Sequence, residues 1–387
     1  MRTETIAGYG FRLFFLSVPI HAVVLMAAWL GSLMWGWSFA GMDPLGWHMH
    51  ELLFGTVAAA IAGFLLTAAP NWTGTDRLHG PALLALWALW LLARIGYLLL
   101  DPAAPGTPAL AVRLIDLAFL PGLALVIAAP ILETGNRRNL VIVALLMLLW
   151  LANLLSGMPE FRTVATPLTL DLILIMMALI GGRITPLFTR NWLKRHDAGP
   201  PFPPEFGSFD RIALLSLVLV AAASAFNMAA HWTGALALIA GTVNLLRLAR
   251  WQGWRTLTDP LVWVLHLGYL WIVVALLLRG WGLLDDSFSP RLWIHALGVG
   301  AMGTLILGVM ARVSLGHTGR AFVLPAGGAS MFWLITLAAL ARVLAAAGVA
   351  TMLLQSLAAL AWIGAFALFA VLYLPVLTRP RVDGKPG

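Results

Sequence analysis

Twelve runs of about 20 apolar residues, with Pro, Gly, Asp and Arg punctuating most of the gaps and only Ala229-Ala230-His231 between the seventh and eighth, leave this chain few ways to fold. Only a helix or a closed barrel satisfies its own backbone N–H and C=O groups across a bilayer, and runs this long and apolar read as helices. They fall roughly at residues 12–35, 45–70, 80–100, 109–130, 138–157, 165–187, 211–229, 231–248, 260–279, 291–313, 327–349 and 351–375. Charged residues make up 10% of the chain, less than half the share of an ordinary soluble domain. The expected fold is an all-α polytopic membrane protein, one transmembrane domain over residues 1–387. The first run lacks a small-residue cleavage site and is read as a retained span. The longest hydrophilic loop, 191–210, carries Pro200-Pro-Phe-Pro-Pro204 and should be extended and stiff.

Arginine and lysine set the orientation. Of the 24, 18 fall at the two ends of the chain and in or beside the even-numbered loops, Arg2 and Lys385 among them. Four fall on the odd-numbered side (Arg113, Arg162, Arg279, Arg291), and Arg94 and Arg342 lie within spans. Positive residues stay inside, so both termini are expected in the cytoplasm. The +8 net charge follows from this bias, and no basic run is long enough to point to nucleic acid. There is no cysteine, which excludes disulfides, iron–sulfur clusters, thiolate-ligated haem and thiol nucleophiles.

Part of the chain recurs. Residues 50–74 align without gaps on 295–319, an offset of 245, with seven of 25 positions identical. The identities are His50/His295, Leu52/Leu297, Gly55/Gly300, Ile61/Ile306, Gly63/Gly308, Thr73/Thr318 and Gly74/Gly319. The same offset carries His21 onto His266, and a shift of three more residues carries Arg94-Ile95 onto Arg342-Val343. We read an internal duplication relating spans 1–3 to spans 9–11, with units at about 11–95 and 256–343.

Ionisable residues inside spans are functional by default. Asp43 and Pro44 form a natural start for the second span, which places His48, His50 and Glu51 in its first turns, toward the outer side. His50 and His295 are imidazoles at matching depth on related helices, as bis-histidine haem ligation requires; the plain alternative is an anchor or a helix–helix hydrogen bond. His48 points away from His50, since two residues turn a helix through about 200°; with Glu51 it can hold copper or relay protons, or simply pack. Arg94, Arg342 and Arg291 can meet anionic groups such as haem propionates, or snorkel to the surface. His21 and His266, near mid-membrane, mark a second site or bond a neighbouring helix. His317, at the inner edge, is a metal ligand or a helix-end hydrogen bond.

Four stretches together carry a resemblance: Trp47-His-Met-His-Glu-Leu-Leu-Phe-Gly55, Ala62-Gly-Phe-Leu-Leu-Thr-Ala-Ala-Pro-Asn-Trp-Thr-Gly74, Gly182-Arg-Ile-Thr-Pro-Leu-Phe-Thr189 and Met310-Ala-Arg-Val-Ser-Leu-Gly-His-Thr-Gly-Arg320. They resemble the signature stretches of the NnrS family, over essentially the whole chain. The resemblance implies a twelve-span protein of the bacterial inner membrane, containing haem and copper and linked to nitric oxide stress and denitrification. His48, His50, Glu51, His295 and His317 match family motif positions, and His21 does not. The architecture is also similar to haem–copper oxidases and nitric oxide reductases, which hold a low-spin haem between histidines on spans two and ten; the cofactor expected here is haem b. Their copper-binding histidines, on spans six and seven, have no counterpart here.

The sequence therefore reads as a multi-pass haem protein that binds nitric oxide and is a candidate for reducing or otherwise consuming it, with a quinol or another redox partner as electron source. A membrane transporter, and a haem-based sensor or assembly factor without turnover, remain open.

Overall fold

The structure, a computed structural model, describes residues 5–38, 43–101, 104, 106–285 and 288–384. Arg2 and Lys385, which enter the charge count, lie outside the described residues. Every long element is a helix, and among the described residues there is no strand. Among the described residues, twelve helices are long and apolar enough to cross a membrane: α1 (Gly10–Trp35), α2 (Pro44–Thr73), α3 (Gly80–Leu99), α4 (Thr107–Glu133), α5 (Arg137–Ser156), α6 (Arg162–Arg195), α7 (Ser208–Ala225), α8 (Ala230–Ala249), α9 (Pro260–Leu284), α10 (Arg291–His317), α11 (Ala329–Ala346) and α12 (Thr351–Thr378). The protein is thus an all-α, multi-pass membrane protein.

Helix boundaries follow local chemistry. Asp43 caps α2 by accepting the backbone N–H groups of Leu45 (3.3 Å) and Gly46 (2.9 Å), with Pro44 where no N–H is needed. Gly74, at φ +70°, ends it in a left-handed turn. Asp259 and Pro260 repeat the same start at α9, the Asp259 carboxylate accepting Leu261 N–H at 2.9 Å. One boundary differs from expectation. α6 runs on through Arg190 and Lys194 to Arg195, so the first residues assigned to the longest loop are helical. Lys194 and Arg195 in the last turn face the negative end of the helix dipole, which favours the extension.

By contacts the chain groups into two compact units. The first comprises Met1–Arg162, Met310–Val323 and Phe366–Gly387; the second comprises Thr163–Val309 and Leu324–Ala365. In the first, α1 to α5 bring together side chains from α1, α2, α3, α4 and α5 around the start of α2. In the second, the outer helices close on α9 and the first part of α10, whose cores hold Val264, Leu265, Ile272, Leu276, Leu297 and Met302 at 1% exposure or less.

Helices α2 and α10 share an uncommon feature. Each passes into a π-helical stretch directly after its histidine, Glu51–Val57 after His50 and Ala296–Gly303 after His295. The two stretches begin 245 residues apart, the offset of the sequence alignment. π-Turns inside α-helices occur often at functional sites, because the wider turn re-aims side chains and loosens a backbone carbonyl. Here Gly55 O accepts Trp90 Nε1–H at 3.0 Å. Each stretch carries a glycine against which a ring is packed: a Cβ on Gly55 would lie 2.5 Å from His21 Cε1, and one on Gly300 2.5 Å from Trp271 Cδ2.

Candidate functional site

The first turns of α2 hold a buried cluster of charges. Glu51, 1% exposed, is its centre. Its Oε1 accepts Arg94 Nη1–H from α3 at 2.6 Å and His50 Nδ1–H at 3.1 Å, and its Oε2 accepts His21 Nε2–H from α1 at 3.0 Å. Arg94 Nη2 donates to Asp116 of α4. Asp116 also accepts Asn153 Nδ2–H from α5 at 2.8 Å. A single guanidinium therefore bridges two carboxylates, in a region where the fold excludes solvent.

The hydrogen-bond roles assign protons. Thr56 hydroxyl lies 2.9 Å from His21 Nδ1, and His21 Nε2 faces the Glu51 carboxylate, so both ring nitrogens of His21 have a partner. His50 is different. Its Nδ1 faces the Glu51 carboxylate, and its Nε2 lies 3.3 Å from both Asn153 Oδ1 and Asp116 Oδ2. The Asn153 amide is oriented by donating its N–H to Asp116, so its oxygen is what His50 meets. Both ring nitrogens of His50 face acceptors only, and in this arrangement both carry hydrogen. The count then closes: Glu51 and Asp116 supply two negative charges, Arg94 and the His50 imidazolium two positive ones. A buried ionic group that neutralises itself avoids the cost of an unpaired charge.

Aromatic side chains hold this cluster. The His50 ring stacks on Tyr97 with centroids 4.1 Å apart and planes 10° from parallel. Tyr97 belongs to a buried apolar group with Leu25, Ala28, Trp47 and Val112, and its carbonyl accepts Trp47 Nε1–H at 3.0 Å. Arg94 Cζ lies 5.3 Å from the Tyr97 ring centre. His48 points elsewhere, as its spacing from His50 requires, and stacks on Trp29 of α1 at 4.5 Å.

Of the residues singled out from sequence, His21, His50, Glu51 and Arg94 are thus brought together. Arg94 is held by carboxylates. In the second unit, His266 Nε2 lies 2.8 Å from the Thr189 hydroxyl of α6, and a Cβ on Gly253 would meet its Nδ1 at 2.5 Å. The residue packed against Gly300 there is Trp271, whereas Gly55 meets His21, so the offset pairing of His21 with His266 does not extend to their surroundings. His295 is half-buried at the start of its π-helical stretch. Arg342 is half-buried within electrostatic reach of the exposed Arg291. His317, in the first unit, rests against Tyr9 (6.0 Å) and Phe11 (5.8 Å), and its carbonyl accepts Arg381 Nη1–H at 2.9 Å. Among the described residues, no three His, Asp or Glu side chains are grouped as a ready metal site.

Asp116 and Asn153 were missed in the sequence, as was Asp171, which pairs with Arg279 in the second unit. A usable signal existed: each is a lone polar residue in an otherwise apolar run, and the two aspartates are ionisable. Asp210 and Arg247 form a further buried pair at 2.8 Å, with Tyr269 hydroxyl accepting Arg247 Nη1–H at 2.8 Å and donating to Asn244 at 2.6 Å.

The family model described as NnrS protein matches residues 5–381. The chain belongs to the NnrS family. No curated protein matches it. Membership covers nearly all of the chain and is consistent with a nitric oxide-related membrane protein. In this NnrS protein the four sequence stretches that carry the resemblance lie on α2, on α6 and at the end of α10.

Proposed function

We propose that this NnrS protein is a bacterial inner-membrane protein that binds nitric oxide and consumes it by reduction, with electrons from quinol or another redox partner. One observation carries the reading: a buried cluster of two carboxylates, a guanidinium and an imidazole whose two nitrogens both face acceptors lies inside the membrane-spanning part of the fold. Reducing nitric oxide to nitrous oxide takes up one proton and one electron for each molecule. A buried His50 proton, held between Glu51 and Asp116, is a store from which such chemistry can draw.

Haem b, which the family implies, is the group proposed to bind the gas, with copper as a further metal. An axial imidazole must offer a lone pair to iron. His50 in the arrangement described offers none, since both nitrogens point at acceptors. The residues around His50 therefore do not fit an axial ligand as they stand. His295, His48 and His317 are the remaining histidines at family motif positions.

A second reading, a proton-coupled transporter, is favoured by the completeness of the same cluster, which satisfies itself without a cofactor. Optical spectra of the purified protein, with and without nitric oxide, separate the two. The nitric oxide reading expects a Soret band that shifts on adding the gas and is lost in His295→Ala. Absence of any Soret band from wild-type protein, together with solute-dependent proton flux in vesicles, overturns it.

A further inference from the structure

The first unit carries a second concentration of charge, at the opposite ends of its helices from Glu51. Arg12, on the first turn of α1, is fully buried and donates through Nη1 to the carbonyls of Leu377 (2.7 Å) and Arg379 (2.8 Å), capping the end of α12. It lies within electrostatic reach of Arg77, Arg320 and Arg381. Arg320 in turn is within reach of Arg379, and partial burial, with that neighbour's charge added, pushes its guanidinium below the usual arginine range. Arg381 is paired with Asp383 at 2.5 Å. Arg77 spreads over Tyr9, its Cζ 4.3 Å from the ring centre, and donates to Gly8 O at 2.8 Å. Among the described residues neither Arg77, Arg320 nor Arg379 makes an ion pair. Five arginines thus meet one paired aspartate, with Asp76 exposed beside Arg77.

An apolar groove begins one turn further along the same two helices. It encloses about 200 Å³ and is lined only by Phe15, Leu16 and Ile20 of α1 and by Phe369, Ala370, Val371, Leu374 and Leu377 of α12. Leu377 belongs to both features: its side chain lines the groove and its carbonyl accepts Arg12. Ile20 and Val371 are 61% and 69% exposed, so the groove is open along the apolar side of the fold.

We propose that this combination is a binding site for one anionic glycerophospholipid, its phosphate held by Arg77, Arg320 and Arg379 and an acyl chain laid in the groove between α1 and α12. Charge selects the headgroup: a phosphate needs unpaired guanidinium groups, and a basic pocket at the end of membrane helices is where such headgroups are held. The groove selects a lipid over a free phosphate, because only the lipid brings a chain to fill it. A zwitterionic headgroup adds an ammonium that the arginine cluster repels. The site does not rest on the nitric oxide reading.

Full-length protein in mild detergent, titrated with phosphatidylglycerol, phosphatidylcholine, glycerol phosphate or inorganic phosphate, tests this by thermal unfolding and native mass spectrometry. Phosphatidylglycerol is expected to bind and to raise the unfolding temperature, with little effect from the other three. Arg320→Gln and Arg379→Gln are each expected to weaken that binding roughly fivefold. Ala370→Trp, filling the groove, is expected to abolish the preference for lipid over glycerol phosphate. Arg138→Gln, outside the cluster, controls for general loss of positive charge. Equal binding of phosphatidylcholine overturns the headgroup assignment. Equal binding of inorganic phosphate, or an Ala370→Trp variant that keeps full lipid preference, overturns the lipid.

Discussion

His50 Nε2 and Asp116 Oδ2 lie 3.3 Å apart, and this contact decides the charge state of the centre of the first unit. Asp116 already receives Arg94 and Asn153. With His50 it becomes the acceptor of three donors, and the imidazole becomes the second cation that two buried carboxylates require.

Removing Arg94 is the most damaging single change expected here. Arg94→Leu leaves Glu51 and Asp116 facing each other across the cluster with one imidazolium between them. Breaking a buried pair by deleting one partner costs about 3–5 kcal/mol. Thermal unfolding in detergent should show a large fall, and Arg94→Lys a smaller one, because lysine keeps the charge without the planar fork that reaches both carboxylates. Unfolding of Arg94→Leu at the wild-type temperature would show that the pairings do not hold the unit together.

Glu51→Gln tests the proton count. With one carboxylate gone, Arg94 alone balances Asp116, and His50 no longer needs to be charged. Nitrogen-15 spectra of histidine-labelled protein should show one buried imidazolium in wild type and none in the variant. An imidazolium signal that persists in Glu51→Gln contradicts the assignment.

The π-helical stretches make a steric prediction. Gly55→Ala and Gly300→Ala each place a methyl 2.5 Å from a packed ring, whereas Gly122→Ala on α4 meets only Leu86 Cδ1 at 3.4 Å. Overpacking of this kind costs about 1–3 kcal/mol. The first two variants should unfold at lower temperature and the third close to wild type. Gly55→Ala should in addition disturb the His21 signal.

These effects mark the boundary of what sequence alone conveys. The start of α2 was legible because Asp43 and Pro44 act through neighbours two and three residues away. His50 and Glu51 stood out because charge in an apolar run is costly. Their partners did not, because Asp116 and Asn153 meet them only through the packing of α4 and α5, which no local pattern encodes. The π-helical turns leave no mark in composition, since they shift hydrogen bonds by one residue without asking for different side chains. Arg12 and Arg247 are two of the 18 basic residues that set the expected orientation, and both are buried, one capping α12 and the other paired with Asp210. They bias orientation and build the fold together.

The longest connection is tied down by two arginines: Arg190 of α6 donates to Pro203 O (2.8 Å) and pairs with Glu205 (2.9 Å), and Arg255 holds the part before them. Arg255, after α8, donates to the carbonyls of Ala198 (2.5 Å), Gly199 (2.9 Å) and Pro201 (2.6 Å). Arg255→Ala should release the segment after α6, and limited proteolysis should cut there faster than in wild type. Equal cutting rates would mean that Arg190 and the prolines keep it ordered without Arg255.

Orientation is open to a direct measurement because the chain has no cysteine of its own. Ala198→Cys lies in the arginine-flanked connection between α6 and α7, and Met158→Cys in the short one between α5 and α6; both positions are exposed. Positive residues resist translocation, so the first site is expected on the cytoplasmic side and the second outside. A membrane-impermeant maleimide applied to intact cells should label Met158→Cys alone, and both variants once the membrane is broken. Labelling of Ala198→Cys in intact cells would invert the protein, and with it the side toward which the start of α2 and its Glu51 cluster lie.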